Sequence, residues 1–157
     1  MGRGTWDVLA RNAGEIARRA GRPIDVSAVA TRTPERVPKP GAGARRVHVS
    51  TDLDELVRRG DVDIVCELIG GIEPARTLIL AAIANRKHVV TANKALLAHH
   101  GTEIFAAAHA QGVMVAFEAA VAGGVPIIKA LREGLSANRI EWIAGIINGT
   151  SNFILSE

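Results

Sequence analysis

Apolar residues recur along this chain at two spacings, and segments of one kind alternate with segments of the other. Trp6, Leu9, Ala13, Ile16, Ala17 and Ala20 fall on one face of a helix, since positions three and four apart share a side. Gly21 and then Pro23 stop that helix. Residues 24–31, "IDVSAVAT", predict a strand, and 32–45 form a loop rich in proline and glycine. "RVHVS" predicts a short strand. Thr51 and Asp54 match the spacing of a capping box and open a short helix that ends near Gly60.

The same alternation continues. Residues 63–71, "DIVCELIGG", read as an apolar strand running into two glycines. Glu73 and Pro74 begin a helix through about Asn85, with Ala75, Leu78, Ile79, Ala82 and Ile83 on its inner face. Proline fits the first turn because its missing N–H would have no partner there. "HVVTANK" predicts strand then turn, followed by a helix from about Ala95 to Ala110 that Gly112 ends. "VMVAFEAAV" predicts a strand, "GGVPIIKALREGL" a glycine-led helix, "RIEWIAGII" a strand, and "NGTSNFILSE" a turn into another helix.

Strands alternating with helices of this length predict an α/β fold, a doubly wound parallel sheet with helices on both faces. Ligands in such sheets bind beyond the carboxyl ends of the strands. That rule selects the loops at Arg32, at Gly70 and Gly71, at 91–94 and at 118–124.

Composition narrows the function. A length of 157 residues suffices for one domain with a core. The net charge of +3 points to an anionic partner, but the basic residues are scattered, aromatics are 3% and there is no tyrosine. Single-stranded nucleic acid needs aromatic platforms, so no nucleic-acid partner is expected, and a phosphate-bearing cofactor accounts for the charge. Apolar stretches are interrupted well before membrane-span length, and "MGRGTWDVLARNAGEIARRAG" carries charges throughout, unlike a signal peptide. No membrane association is expected, and the expected compartment is the cytoplasm. The single cysteine, Cys66, lies in an apolar run and reads as a small buried core residue rather than a catalytic thiol. No Cys/His cluster has zinc spacing, and the adjacent His99 and His100 point in different directions on a helix.

"ELIGGIEPAR", "KHVVTANKALLA", "FEAAVAGGVPIIKALREGL" and "IAGIINGTSNFIL" resemble bacterial homoserine dehydrogenase, in that order and at the family's spacing. The resemblance implies oxidation of L-homoserine to L-aspartate 4-semialdehyde with NADP or NAD, or the reverse, in threonine, methionine and isoleucine biosynthesis. It implies a Rossmann-type NAD(P)-binding domain over residues 1–123 and the start of an α+β catalytic and dimerisation domain over 124–157. It also implies a homo-oligomeric parent enzyme. Family members open with a strand and a G-x-G-x-x-G loop that holds the pyrophosphate. Here Gly2 resembles the last glycine of that loop, and the strand and earlier glycines are missing. The family's substrate-binding acids and second lysine, which follow "NGTSNFIL", are also missing. The resemblance thus implies a chain cut short at both ends and inactive by itself. A non-catalytic nucleotide-binding or regulatory module is the rival reading.

The resemblance implies roles residue by residue. Lys94 would be catalytic: hydride transfer between alcohol and carbonyl requires a proton moved at that oxygen, and a cation beside it stabilises alkoxide. The alternative, a solvated lysine at a helix start, sits poorly with the positive end of the helix dipole. Gly70 and Gly71 would contact the cofactor, or form only a tight turn. Thr91, Ala92, Asn93 and Lys94 would face the nicotinamide end, with Asn93 also a candidate helix cap. Arg32, at the end of the second predicted strand, favours NADP through its 2′-phosphate, or is a loop arginine. Glu118, Val121, Gly123 and Val125 match the family's sodium loop, which also reads as a glycine-rich hinge. Asn148, Gly149 and Thr150 would begin the substrate pocket, unless Thr150 or Ser151 caps a helix.

Overall fold

A computed structural model describes residues 1–38 and 46–145. The chain opens with two helices, α1 (Gly2–Arg11) and α2 (Ala13–Ala20), where the periodicity predicted one. They break at Asn12, whose φ of −105° and ψ of 18° leave the helical range, and asparagine is a weak helix-interior residue. Gly21 closes α2 at φ 73°, in the left-handed region. Neither helix buries a residue.

Next, β1 (Ala28–Ala30) pairs in parallel with β2 (His48–Ser50), with Val29 opposite Val49. Both strands are shorter than the runs that predicted them. The helix α3 (Leu53–Arg58) is capped by Asp52, which accepts from the N–H groups of Asp54 and Glu55 at 2.8 and 3.2 Å. The expected box on Thr51 is therefore displaced by one residue. The Ser50 hydroxyl accepts from Asp52 N–H and donates to Glu55, which turns Asp52 into the capping position.

The larger unit follows: β3 (Ile64–Glu67), α4 (Glu73–Ala84), β4 (His88–Thr91), α5 (Lys94–Gln111) and β5 (Val115–Ala116), with parallel sheet order β3-β4-β5. The expected inner face of α4 is the one found: Ala75, Leu78, Ile79, Ala82 and Ile83 are all buried. They join Val57, Val65, Val89, Leu96, Ile104 and Ala108 in one core. Each fully buried aliphatic side chain there contributes about 1.5–3 kcal/mol. Across the solvent side of α4 and α5, the Arg76 guanidinium grips both oxygens of Glu103 at 2.9 and 2.6 Å and holds that carboxyl below its ordinary pKa.

The α/β class and parallel pairing agree with expectation, but burial is one-sided. Val65, Glu67, Val89 and Thr91 point inward, while Ile64, Cys66 and Val90 point out, with Ile64 48% and Val90 37% exposed. Cys66 is thus a correction. The alternation of β3 puts its thiol on the face opposite the layer formed by α3, α4 and α5, and that face is open. The pair β1-β2 and the triplet β3-β4-β5 are separate sheets among the described residues, linked through α3 and a 3.4 Å bond from the Ser27 hydroxyl to the Asp61 carbonyl. In the doubly wound order one strand stands between two such groups.

After β5, Phe117 turns the chain into a 3-10 turn (Glu118–Ala120), so the strand expected over 113–121 keeps two residues. The glycine-led helix is α6 (Ile127–Lys129), continued by a π-turn over Ala130–Gly134. Residues 139–145 form no strand, and Trp142 is 77% exposed. A strand needs a neighbour to take its backbone groups, and this segment has none among the described residues. The final helix expected after "NGTSN" lies outside the described residues.

The position of Cys66 is checked by thiol chemistry. Contact on its inner side desolvates the thiol and raises its pKa, while its outer side stays open. In the folded 157-residue chain, alkylation should proceed without denaturant, with a rate that climbs with pH through a midpoint above the ordinary thiol value of 9.0. Denaturant should bring that midpoint back down. A thiol inert until unfolding would restore the buried reading.

Candidate functional site

Parallel register sets the site. β3 ends at Glu67 and β4 at Thr91, and these two residues are paired, so the loops that follow emerge side by side. Both side chains face inward and are 1% exposed. A carboxylate removed from water is costly unless it is hydrogen-bonded. Among the described residues Glu67 forms no ion pair; its partners are hydrogen-bond donors from both loops. Oε1 accepts from the N–H groups of Ile69 and Gly70 at 2.9 and 3.1 Å, and Oε2 accepts from the Thr91 hydroxyl at 2.6 Å.

The bonds continue into a closed ring. Thr91 Oγ1 accepts from Asn93 N–H at 3.0 Å. Asn93 Nδ2 donates to the Gly71 carbonyl at 2.6 Å, which returns to the first loop. Asn93 Oδ1 accepts from Leu96 N–H at 3.1 Å and caps α5. Gly70 and Gly71 take φ of 72° and 76°, consecutive left-handed residues that let the chain turn back toward Asn93. A Cβ at either would meet open space, so glycine is required here by conformation and not by crowding. Lys94 follows as the first residue of α5, exposed, its side chain with no hydrogen bond or ion pair among the described residues.

Residues 1–118 match the family model of the homoserine dehydrogenase NAD binding domain, and residues 126–157 match that of homoserine dehydrogenase. The chain belongs to the homoserine dehydrogenase family. Over its whole length it is 61% identical to the homoserine dehydrogenase of Pseudomonas aeruginosa and 58% identical to that of Neisseria gonorrhoeae, and it spans 35% of each. The crystal structure of a homoserine dehydrogenase from Thiobacillus denitrificans superposes with a TM-score of 0.84 at 63% identity, over 98% of this chain and 35% of that one. The chain therefore spans about a third of the length of these relatives.

Within this homoserine dehydrogenase segment, the ring brings together Gly70, Gly71, Thr91, Asn93 and, next in sequence, Lys94, with Ala92 half-buried between. Both polar atoms of the Asn93 carboxamide are engaged by the fold: Oδ1 caps α5, the expected alternative or additional role, and Nδ2 holds Gly71. The Thr91 hydroxyl is likewise turned inward. Arg32 lies in the turn after β1, where Thr31 Oγ1 accepts from Thr33 N–H at 3.2 Å, on the separate two-stranded sheet. Gly2 is the exposed first residue of α1. Asn148, Gly149 and Thr150 lie outside the described residues.

The loop named for sodium follows β5, and its turn Glu118–Ala120 packs on β4. The two Glu118 carboxylate oxygens accept from the N–H groups of Ile128 and Lys129, each at 2.9 Å, and the Val125 carbonyl accepts from Ile127 N–H at 2.8 Å. The loop thus caps α6. Val121 and Gly123 flank Ala122; Ala122 and Gly123 take φ of 54° and 60°, a reversal that suits a hinge. Sequence reasoning missed Glu67. Its signal was an acid at an inward position of an apolar strand, three residues ahead of the first of two glycines.

The ring makes a stability prediction at Asn93. Asn93→Ala removes the α5 cap and the tie to Gly71, and should destabilise by about 1–2 kcal/mol. Asn93→Asp keeps the capping oxygen and loses the donor to Gly71, so it should recover part of that loss in urea melts. Equal stability of Asn93→Ala and the parent would show that the ring is not closed in solution.

Proposed function

We propose that this segment supplies the cofactor-binding part of an NAD(P)-dependent homoserine dehydrogenase, which interconverts L-homoserine and L-aspartate 4-semialdehyde. The observation that carries the reading is the ring at the shared edge of β3 and β4 in a matched NAD binding domain. It ties the Gly70 and Gly71 backbone to the start of α5, whose first residue is Lys94, beyond the carboxyl ends of the strands, where this fold class binds ligands. When bound, the nicotinamide accepts or returns the hydride. Lys94 holds the reacting oxygen, stabilises alkoxide and moves its proton. Arg32 reads the 2′-phosphate and favours NADP. Residues from about 124 onward begin the substrate and dimerisation domain, so turnover requires the rest of the relatives' length. The setting is a cytoplasmic homo-oligomer.

The test uses the full-length protein that carries this segment. Lys94→Ala should keep its melting temperature, within about 0.5 kcal/mol, and lose turnover by about 100-fold or more at saturating homoserine and cofactor. Lys94→Arg, with a planar head that does not release a proton, should also be impaired. Turnover of Lys94→Ala within a few-fold of the parent would remove Lys94 from the mechanism.

Cofactor choice is a second measurement. The charge-assisted contact to a 2′-phosphate contributes about 1.5–3 kcal/mol. Arg32→Asp should lower the NADP/NAD ratio of kcat/KM by about ten-fold or more, at the low end of that range. An unchanged ratio would assign the phosphate to another residue.

A further inference from the structure

We propose that Glu67 is a positioning residue for the reaction, setting through its buried carboxylate the loop that faces the cofactor and the start of the helix that carries Lys94. The proposal rests on the reading of these two loops as the cofactor edge. Glu67 touches neither ligand in that reading; it acts through Gly70 and Thr91.

The argument is one of donors and acceptors. An ionised glutamate accepts only, and here Ile69 N–H, Gly70 N–H and the Thr91 hydroxyl all donate to it. Donation by Thr91 leaves its oxygen lone pairs for Asn93 N–H. That bond sets the backbone just before α5, where Asn93 Oδ1 caps the helix and Nδ2 holds Gly71. The carboxylate thus fixes the one hydrogen bond in the ring whose direction is free, that of the Thr91 hydroxyl.

Glutamine has nearly the same shape and the wrong polarity. With its oxygen toward Ile69 and Gly70, its NH2 faces Thr91 Oγ1, and the Thr91 proton loses its acceptor in a site that is 1% exposed. With its oxygen toward Thr91, its NH2 meets two N–H groups. Either orientation leaves a mismatch in the ring, so the loops relax, and with them the start of the helix that carries Lys94. Misplacement of this kind costs rate out of proportion to stability.

The experiment again uses the full-length protein, with Glu67→Gln, Thr91→Val and Thr91→Ser. Thr91→Val keeps shape and burial but removes the hydroxyl; Thr91→Ser keeps the hydroxyl and loses a buried methyl. Glu67→Gln and Thr91→Val should each raise the KM for NADP and lower kcat, together by about ten-fold or more in kcat/KM. Thr91→Ser should recover most of the kinetic loss of Thr91→Val. A purely structural role instead leaves kcat/KM per folded protein at the parent's value in all three variants. Amide exchange at Gly70 and Asn93, read in the same proteins without substrate, should accelerate in Glu67→Gln and Thr91→Val. If the parent shows no homoserine-dependent reduction of either NADP or NAD, the functional reading fails, and amide exchange alone decides whether Glu67 holds the loops. Unchanged exchange in Thr91→Val, or kcat/KM within about two-fold of an active parent in both variants, overturns the proposal. If Glu67→Gln does not fold, the Thr91 pair decides it.

Discussion

A carboxylate sealed from water dictates what surrounds it. Glu67 occupies the last inward position of β3, where the core neighbours Val65 and Val89 supply no polar group. Its charge has to be met by donors, and it is met by the backbone just past the strand and the residue opposite in register. The first requirement bends the chain back over the carboxylate at Ile69 and Gly70, and the left-handed Gly70 and Gly71 complete that bend. The second recruits Thr91 and, through it, Asn93 and the start of α5. The geometry of both loops follows from satisfying one buried charge.

The core that makes this burial possible is one-sided. α4 packs against β3, β4 and α5, and α3 extends the same layer. Its residues close off the inward face of the strands, and so Glu67 and Thr91 are sealed. The outward face keeps Ile64, Cys66 and Val90 open, and α1 and α2, amphipathic in sequence, bury nothing. Local pattern forms these helices, but burial of their apolar stripe depends on a covered partner surface. The ring lies on the well-packed side, which is why its side chains are held by the core even though the sheet is divided.

Elements whose order is encoded locally were legible from sequence. The inner face of α4, the cap at Asn93 and the stop at Gly112 each need only neighbours a few residues away, and each is found. Elements that depend on distant partners were less so. The run 24–31 looks like a full strand, yet only Ala28–Ala30 pairs, because β2 offers three residues to pair with. The run 139–145 is apolar enough for a strand but has no neighbour. Cys66 looked buried because an apolar run reads as a strand covered on both faces; only the tertiary arrangement shows which face is covered. In the site, the glycines and the "TANK" turn stood out by type and place. Glu67 did not, since an acid ending an apolar strand resembles the first polar residue of a loop. Alternation from Val65 marks it as inward, and the parallel register then supplies Thr91 as its partner.

Charge placement separates Lys94 from the three helix starts directly before it. α2, α3 and α4 each carry an acid in the first turn, Glu15, Asp54 with Glu55, and Glu73, which is the arrangement a helix dipole favours. α5 has no acid there and begins with a lysine instead. Packing does not account for it, because Lys94 is exposed, and pairing does not either, because it has no ion-pair partner among the described residues. A cation at that end is disfavoured by the free N–H groups of the first turn until an anion or an oxygen gathering negative charge arrives. At that moment the lysine and the N–H groups act together on the same charge. The arrangement costs the free protein a little stability and favours a state in which negative charge develops beyond the strand ends. In the proposed function, an alkoxide forming during hydride transfer is such a charge.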